Sequence, residues 1–217
     1  MRRIIGVLGV CTLLLLVGCA TQPRTAYDYT QFKAENPLSI LVLPPLNDSL
    51  DVNAGYSFLS QVTYPLAESG YYVFPVAVVN DLFKHNGVTE PSDIHAIPLE
   101  KLREIFAADA VVYLKITEYG TSYKIIASDT RVTAQARLVS LKTGEKLWEG
   151  AATASTAEQQ NTNQGLLGML VVAVIEQIAN TLSDKGHEVA GITSVRLLQA
   201  GGENRLLHGP RSEIKEH

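Results

Sequence analysis

The sequence is poor in cysteine, with only two in 217 residues. Cys11 lies inside an apolar run at the start of the chain, and Cys19 lies directly after that run. If the run is removed, a single cysteine remains, which excludes a disulfide framework and a zinc site built from clustered thiolates. We therefore expect the folded part to be stabilised by a hydrophobic core, for which about 200 residues are sufficient.

Clusters of basic residues are also missing. The chain has 18 Lys and Arg against 22 Asp and Glu, a formal net charge of −4, and loss of the two N-terminal arginines with the leader would make the charge two units more negative. Proteins that bind nucleic acids or anionic lipids by electrostatics concentrate Lys and Arg on one surface. We therefore expect neither a nucleic-acid partner nor electrostatic docking on a membrane.

Complete catalytic and metal-binding motifs are absent from the sequence. Lys142-Thr143-Gly144 resembles a strand motif of penicillin-binding enzymes, but the Ser-x-x-Lys that should precede it occurs only downstream, at 212–215, so a tight turn explains it better. The five histidines form no His-Glu-x-x-His pattern. We expect no catalytic residues, metal, cofactor or small-molecule substrate. The alternative is an envelope hydrolase whose site forms only in the fold, with Asp48, Asp93 and His95 as first suspects.

The start of the chain has the pattern of a lipoprotein signal peptide. Two arginines precede an apolar run that is shorter than the roughly 20 residues of a membrane span. The run ends in Leu16-Val17-Gly18-Cys19, which matches a lipobox because a branched apolar residue stands three before the cysteine and glycine directly before it. This pattern predicts cleavage between Gly18 and Cys19 and acyl chains, palmitate among them, on Cys19.

The anchor predicts where the protein is found. Two or three acyl chains hold a protein firmly on a bilayer, since each buried methylene contributes about 0.8 kcal/mol. Ala20 follows the cysteine, in place of the Asp that retains many lipoproteins of Gram-negative bacteria at the inner membrane. We therefore expect attachment to the outer membrane, with the body of the protein in the periplasm.

Beyond the anchor, the chain alternates between strand and helix patterns. A short continuous apolar run at 39–43 is typical of a strand buried on both faces. Later segments alternate apolar and polar residues with a period of two, as antiparallel strands with one solvent-exposed face do. The predicted helices cover 55–67, 76–84, 98–106 and 165–184, and the predicted later strands cover 112–119, 131–138 and 146–153.

These patterns predict one α+β domain in which helices pack on a mixed sheet. The segments on either side of this domain contain proline and polar residues and show no periodic spacing of apolar residues, so we expect them to be flexible. The predicted divisions are a signal peptide (1–18), a lipidated N-terminus and tether (19–37), a periplasmic domain (38–198) and a flexible C-terminal tail (199–217).

Two tyrosines are candidates for binding a partner protein. Tyr119 and Tyr123 flank the turn-like residues 120–122, and tyrosine provides a large contact area at low entropic cost. The alternative interpretation is that both rings pack against neighbouring strands.

Three stretches carry a resemblance to a known family: "LPPLNDSLDVNAGYSFLSQVTYPLAESGYYVFPVAVVNDLFKHNG", "DIHAIPLEKLREIFAADA" and "YGTSYKIIASDT". Over residues 37–157 the chain resembles bacterial lipoproteins of unknown function related to a genome-derived surface-lipoprotein vaccine antigen. That family is similar in fold to the TolB amino-terminal domain and to periplasmic lipoproteins that activate peptidoglycan synthases.

The resemblance implies a non-enzymatic binding or assembly factor for another envelope protein. A CsgG-like lipoprotein, whose gene often accompanies those of the family, and the peptidoglycan machinery are the partners it suggests. A further alternative is a subunit of an export pore, which the lack of aromatic girdles in the sequence disfavours.

Overall fold

The structure, a computed structural model, describes residues 26–123, 128–160 and 185–214. The predicted signal peptide, the lipobox with Cys19 and the predicted helix at 165–184 lie outside the described residues.

The described strands form one mixed sheet. They are β1 (Ser39–Val42), β2 (Leu46–Asn47), β3 (Tyr72–Val73), β4 (Ala110–Tyr123), β5 (Ser128–Ser140) and β6 (Lys146–Ser155). Their order in the sheet is β3-β1-β4-β5-β6, and β2 pairs with β4 on the same edge as β1, further along the strand. Strand β1 runs parallel to β3 and β4, β2 runs parallel to β4, and β4, β5 and β6 are antiparallel.

Helices pack on both faces of this sheet, so the predicted α+β class is confirmed. The predicted helix at 55–67 is divided in two near Val62, and a short helix that the sequence patterns did not indicate occupies 91–95. The helices are α1 (Thr30–Glu35), α2 (Ala54–Gln61), α3 (Thr63–Glu68), α4 (Val76–His85), α5 (Pro91–His95), α6 (Leu99–Phe106) and α7 (Lys185–Leu198), with a 3-10 helix at Thr156–Gln160.

The core has two parts, one on each face of the sheet. Strand β1 contributes to both, since Ile40 and Val42 face one side and Leu41 the other, as expected for a strand buried on both faces. On the first face, α1, α2, α3 and α7 cover the sheet, and Phe58 and Trp148 are fully buried there. On the second face, α4, α5 and α6 cover β1 and the adjoining ends of β4 and β5.

The folded part begins earlier than predicted. Phe32 of α1 is only 3% exposed and belongs to the core of the first face. The backbone N–H of Tyr27 donates to Asn204 Oδ1 at 2.8 Å, and the Tyr29 hydroxyl donates to the Arg205 carbonyl. The predicted tether through residue 37 is therefore wrong at its C-terminal end, because three aromatic side chains attach residues 27–35 to the domain.

The C-terminal segment is also packed, so the predicted flexible tail is wrong for residues 199–214. Leu206 is 1% exposed, and the backbone N–H of Gly209 donates to the Ser69 carbonyl at 2.7 Å. A Cβ atom on Gly70 would lie 2.4 Å from the backbone nitrogen of Ser212, so only glycine permits this close approach. The segment runs against the chain between α3 and β3 without forming a helix or strand, which is why no periodicity indicated it.

Within residues 26–123, 128–160 and 185–214, no helix is both long and apolar enough to cross a bilayer.

Candidate protein-docking surface

On the second face of the sheet, no described helix covers β4, β5 and β6 where these strands extend beyond α4, α5 and α6. The registers place two rows of side chains across the three strands here, one from Tyr113 through Arg137 to Glu149 and one from Lys115 through Gln135 to Ala151. Tyr113 and Lys115 are half-buried, the other four side chains are exposed, and the two rows line a shallow groove of about 490 Å³. We call the six residues the open sheet face.

An aromatic and cationic group forms one border of the open sheet face. The His95 ring packs edge-on against the Tyr113 ring, with 5.2 Å between centroids and 81° between planes. The Arg137 guanidinium lies over the Tyr113 ring at 5.1 Å from its centroid, within cation–π range. Since His95 Nε2 donates to the Pro44 carbonyl at 2.8 Å, the group is held in place by the chain between β1 and β2.

Burial determines the charge of this group. Burial lowers the pKa of His95 below its ordinary value, partly opposed by the hydrogen bond to Pro44 and reinforced by nearby Arg137. Burial also raises the pKa of Tyr113, which the positive charge of Arg137 opposes. At neutral pH the imidazole and the phenol are therefore uncharged, and Arg137 carries the only charge of the group.

The charges of the open sheet face are not all neutralised within the protein. Lys115 Nζ lies 2.7 Å from Asp48 Oδ2, and Glu149 Oε1 lies 2.6 Å from Lys146 Nζ. Arg137 forms no ion pair with any carboxylate among the described residues. Tyrosine and arginine are both enriched at interface hot spots, and here the two side chains lie in contact.

The structure places the two predicted binding tyrosines elsewhere. Tyr119 is 6% exposed, and its hydroxyl donates to Ser57 Oγ at 2.7 Å, so its prediction as an exposed contact is wrong. The backbone of Tyr123 pairs with Ser128, and its side chain lies outside the described part of the structure. Tyr113 was missed, although its alternation with Lys115 on the polar side of β4 was a usable signal.

The three suspects for a hydrolase are not brought together by the described contacts. Asp48 pairs with Lys115, and His95 bonds to the Pro44 carbonyl instead of to Asp93. Asp93 and His95 lie two residues apart on α5 and so point in different directions. The predicted turn at 142–144 is confirmed, with Gly144 at a φ of 78°.

A hydrogen-bonded serine–histidine pair joins α2 to α7. Ser57 Oγ lies 2.9 Å from His187 Nδ1, and Gln61 Nε2 lies 2.6 Å from His187 Nε2. A serine beside an imidazole is the starting arrangement of many nucleophilic sites. Here the serine oxygen also accepts the Tyr119 hydroxyl, so the same contacts bind two helices to β4. Sequence spacing could not indicate this pair, because 130 residues separate its members.

Among the residues that the structure describes, no group of three or more His, Cys, Asp or Glu side chains could hold a metal ion.

Comparisons with known proteins place this chain among lipoproteins. The family model described as "Putative lipoprotein GNA1162-like" matches residues 27–211. A protein of Neisseria meningitidis serogroup B named "Putative lipoprotein NMB1124/NMB1162" is 49% identical over 94% of this chain and 95% of its own length. The crystal structure of lipoprotein GNA1162 from Neisseria meningitidis matches with a TM-score of 0.55 at 54% identity, over 67% of this chain and 100% of that one.

The C-terminal domain of LpoB from Salmonella enterica matches less well. Its TM-score is 0.40 at 16% identity, over 55% of this chain and 84% of that domain.

Proposed function

This chain belongs to the GNA1162-like family of lipoproteins, and on that premise we propose that it is an outer-membrane-anchored periplasmic protein that binds another envelope protein and assists its assembly without catalysing a reaction. The acyl chains on Cys19 hold the body near the bilayer. The open sheet face is the surface that meets the partner.

The observation that carries the proposal is the fixed group of Tyr113, Arg137 and His95 on a part of the sheet that no described helix covers. The contact with His95, which is itself held by its hydrogen bond to Pro44, already orients the Tyr113 ring. Binding of a partner would therefore cost little conformational entropy at this side chain. Because Arg137 has no carboxylate partner among the described residues, an acidic group of the partner can pair with it at the centre of the contact.

The anchor is tested by replacing each cysteine in turn. Cys19→Ser should abolish incorporation of labelled palmitate and release the protein from sedimented envelopes. Cys11→Ser is the matched control and should change neither, since Cys11 lies in the segment predicted to be removed. Envelope association that survives Cys19→Ser would contradict the proposed anchor.

The docking surface is tested by crosslinking in living cells. A photoreactive residue at Gln135, on the open sheet face, should capture one envelope protein. The same residue at Glu100, exposed on α6, should not. Mass spectrometry would then determine whether the captured protein is a CsgG-like lipoprotein, a component of the peptidoglycan machinery or another protein. The same products from both positions, or none from Gln135, would contradict this docking surface.

An envelope hydrolase is the second candidate, favoured by the 2.9 Å contact between Ser57 Oγ and His187 Nδ1. If it is correct, a fluorophosphonate probe should label Ser57, and Ser57→Ala and His187→Ala should each abolish the labelling. Labelling that is absent or unaffected by these variants would remove this candidate.

A further inference from the structure

Part of the outer edge of β6 has no partner among the described residues. The backbone of Glu149 bonds to the Tyr27 hydroxyl, and the Thr153 carbonyl accepts from Arg196 Nη1 at 2.8 Å. Since alternate residues of a strand direct their N–H and C=O groups to the same edge, Ala151 between them also points outward. No described residue bonds to the backbone of Ala151 on that side. One residue of an added strand could therefore exchange two hydrogen bonds with it.

A groove of about 700 Å³ lies along this part of the edge. It is lined by residues 149–153 of β6, by the end of α7 and by residues 203–205 of the C-terminal segment. The stretch of β6 from 149 to 153 is roughly 13 Å long, since each residue of a strand adds about 3.3 Å. The groove is therefore long enough for about three residues of an extended peptide.

Most charged groups of the groove are already paired within the protein. Arg196 Nη1 lies 2.7 Å from Glu158 Oε2, and Glu149 Oε1 lies 2.6 Å from Lys146 Nζ. Arg205 differs from these residues, because it is half-buried and forms no ion pair with any carboxylate among the described residues. Its guanidinium is therefore available to an anionic group of a ligand.

The second unpaired charge limits which anion fits. Glu203 also lines the groove, is exposed and forms no ion pair with any cation among the described residues. Once the ion pairs are counted, Glu203 and Arg205 leave the lining without net charge, so a doubly charged phosphate is disfavoured. A single carboxylate suits Arg205, since a guanidinium and a carboxylate can form two parallel hydrogen bonds.

Arg205 lies at the Tyr27 end of the free stretch. The Tyr29 hydroxyl donates to the Arg205 carbonyl, and the Tyr27 N–H donates to Asn204 Oδ1 at 2.8 Å. Because β6 runs from 149 to 153, an antiparallel strand added beside it would begin near Thr153 and end near Tyr27. Its terminal carboxylate would then lie at the same end of the groove as Arg205.

We propose that this groove binds the carboxyl-terminal end of a partner polypeptide, which adds to β6 as a short antiparallel strand. The residue before the last exchanges two hydrogen bonds with Ala151, and the terminal carboxylate pairs with Arg205. The proposal goes beyond the proposed function and does not depend on it. It uses the backbone edge of β6 and Arg205, which is not one of the six residues of the open sheet face.

The test uses the full lipidated chain in nonionic detergent, with empty micelles as the blank. Equilibrium dialysis with radiolabelled tri-alanine should show saturable binding. Tri-alanine with its carboxylate converted to an amide is the matched control and should bind at least about tenfold more weakly. Absence of saturable binding up to about 10 mM peptide, or equal binding of the acid and the amide, would overturn the proposal.

Two N-methylated peptides test for strand addition itself. A methyl group on the middle nitrogen of tri-alanine removes the N–H that donates to the Ala151 carbonyl, and we expect at least about tenfold weaker binding. A methyl group on the last nitrogen, which points away from β6, should weaken binding less than about threefold. If both peptides bind like the parent, only the carboxylate is recognised and the proposal is wrong.

Replacement of Arg205 locates the binding on the protein. Arg205→Gln should weaken binding of tri-alanine about tenfold, and Arg205→Lys should weaken it less, because lysine keeps the charge but cannot form two parallel hydrogen bonds. Arg103→Gln, the same change at an exposed position of α6, should have little effect. Equal losses from Arg205→Gln and Arg103→Gln would contradict binding in the groove.

Chirality distinguishes the end of a protein from a cell-wall peptide, whose last residues are D-alanine. Tri-alanine with D-alanine at its last two positions should bind at least about tenfold more weakly, since a strand of L-residues pairs best with L-residues of the same twist. Equal or tighter binding of the D-peptide would reject a protein end as the occupant. Capture from Gln135 without binding of tri-alanine would keep the proposed function and reject this inference, and the reverse result would do the opposite.

Discussion

The replacement Tyr119→Ala tests whether this tyrosine is structural. Tyr119 lies on β4, and its ring packs into the core of the first face, where Val132 lies beside it on β5. Its hydroxyl donates to Ser57 Oγ at 2.7 Å and so links β4 to α2. Tyr64 on α3 is the matched control, because its ring is 66% exposed.

The expected loss of stability follows from burial. Truncating a buried aromatic side chain to alanine costs about 3–5 kcal/mol, which includes the cavity that remains. The lost hydrogen bond adds about 1 kcal/mol to the upper end of that range. Because domains of this size lose about 2–4 °C per kcal/mol, Tm should fall by roughly 6–24 °C. For Tyr64→Ala we expect a change within about 0.5 kcal/mol.

The assay is urea unfolding followed by tryptophan fluorescence. Trp148 is the only tryptophan, and because it is buried its emission reports loss of the core. Tyr119→Phe, which removes only the hydroxyl, should lose about 1 kcal/mol. If Tyr119→Ala is no less stable than Tyr64→Ala, the Tyr119 ring is not part of the core. The sequence-based prediction that Tyr119 is an exposed residue that binds a partner would then be correct.

Three further predictions concern the half-buried histidine and the two segments whose packing was not expected. Gly70→Ala should cost about 3 kcal/mol or more, because its φ of 91° and the nearby Ser212 backbone both oppose a Cβ, whereas Gly87→Ala, with the same sign of φ but open space, should cost about 1–2 kcal/mol in urea unfolding. Phe32→Ala should lower the free energy of unfolding by about 3–5 kcal/mol in the same assay, because the Phe32 ring is buried. A change below about 0.5 kcal/mol would support the sequence-based prediction that residues 19–37 are a flexible tether. Burial lowers the pKa of His95 in the folded protein, so as the pH falls the histidine of the unfolded chain is protonated first. The free energy of unfolding should therefore be unaffected by this group above pH 6.5, the ordinary histidine pKa, and should decrease as the pH falls below it. In His95→Gln, the loss of unfolding free energy between about pH 7 and 5 should be smaller.

Local patterns were sufficient to predict β1, β4, β5 and β6 and most of the helices that pack on the sheet, but not β2. The run at 39–43 predicted β1 because a strand buried on both faces has no polar side, and Ile40 and Leu41 do face opposite cores. The apolar stripe that contains Leu102 predicted α6, since its spacing matches one face of a helix.

The packed ends of the chain could not be predicted in this way. Residues 27–35 and 199–214 are held by hydrogen bonds and close contacts with sequence-distant parts, such as Tyr27 with Asn204, and neither segment has an apolar period. Helix α7 was also missed, since the apolar run before it led us to predict the last helix at 165–184, outside the described residues.

The open sheet face could not be predicted from sequence patterns, because it also depends on contacts between distant parts of the chain. An alternating strand indicates which side chains face solvent, but whether a helix covers that side depends on the tertiary arrangement. Tyr113, Arg137 and His95 come from β4, β5 and α5, and only the register between strands brings the first two together.

The most direct test of the account is the affinity of the purified lipoprotein for the protein captured from Gln135. Arg137→Ala should raise Kd about 30-fold, as expected when a hot-spot side chain is removed, and Arg103→Ala, at an exposed position of α6, should change Kd less than about twofold. An Arg137→Ala variant that binds as tightly as the Arg103→Ala variant would contradict the claim that the open sheet face is where this protein meets its partner.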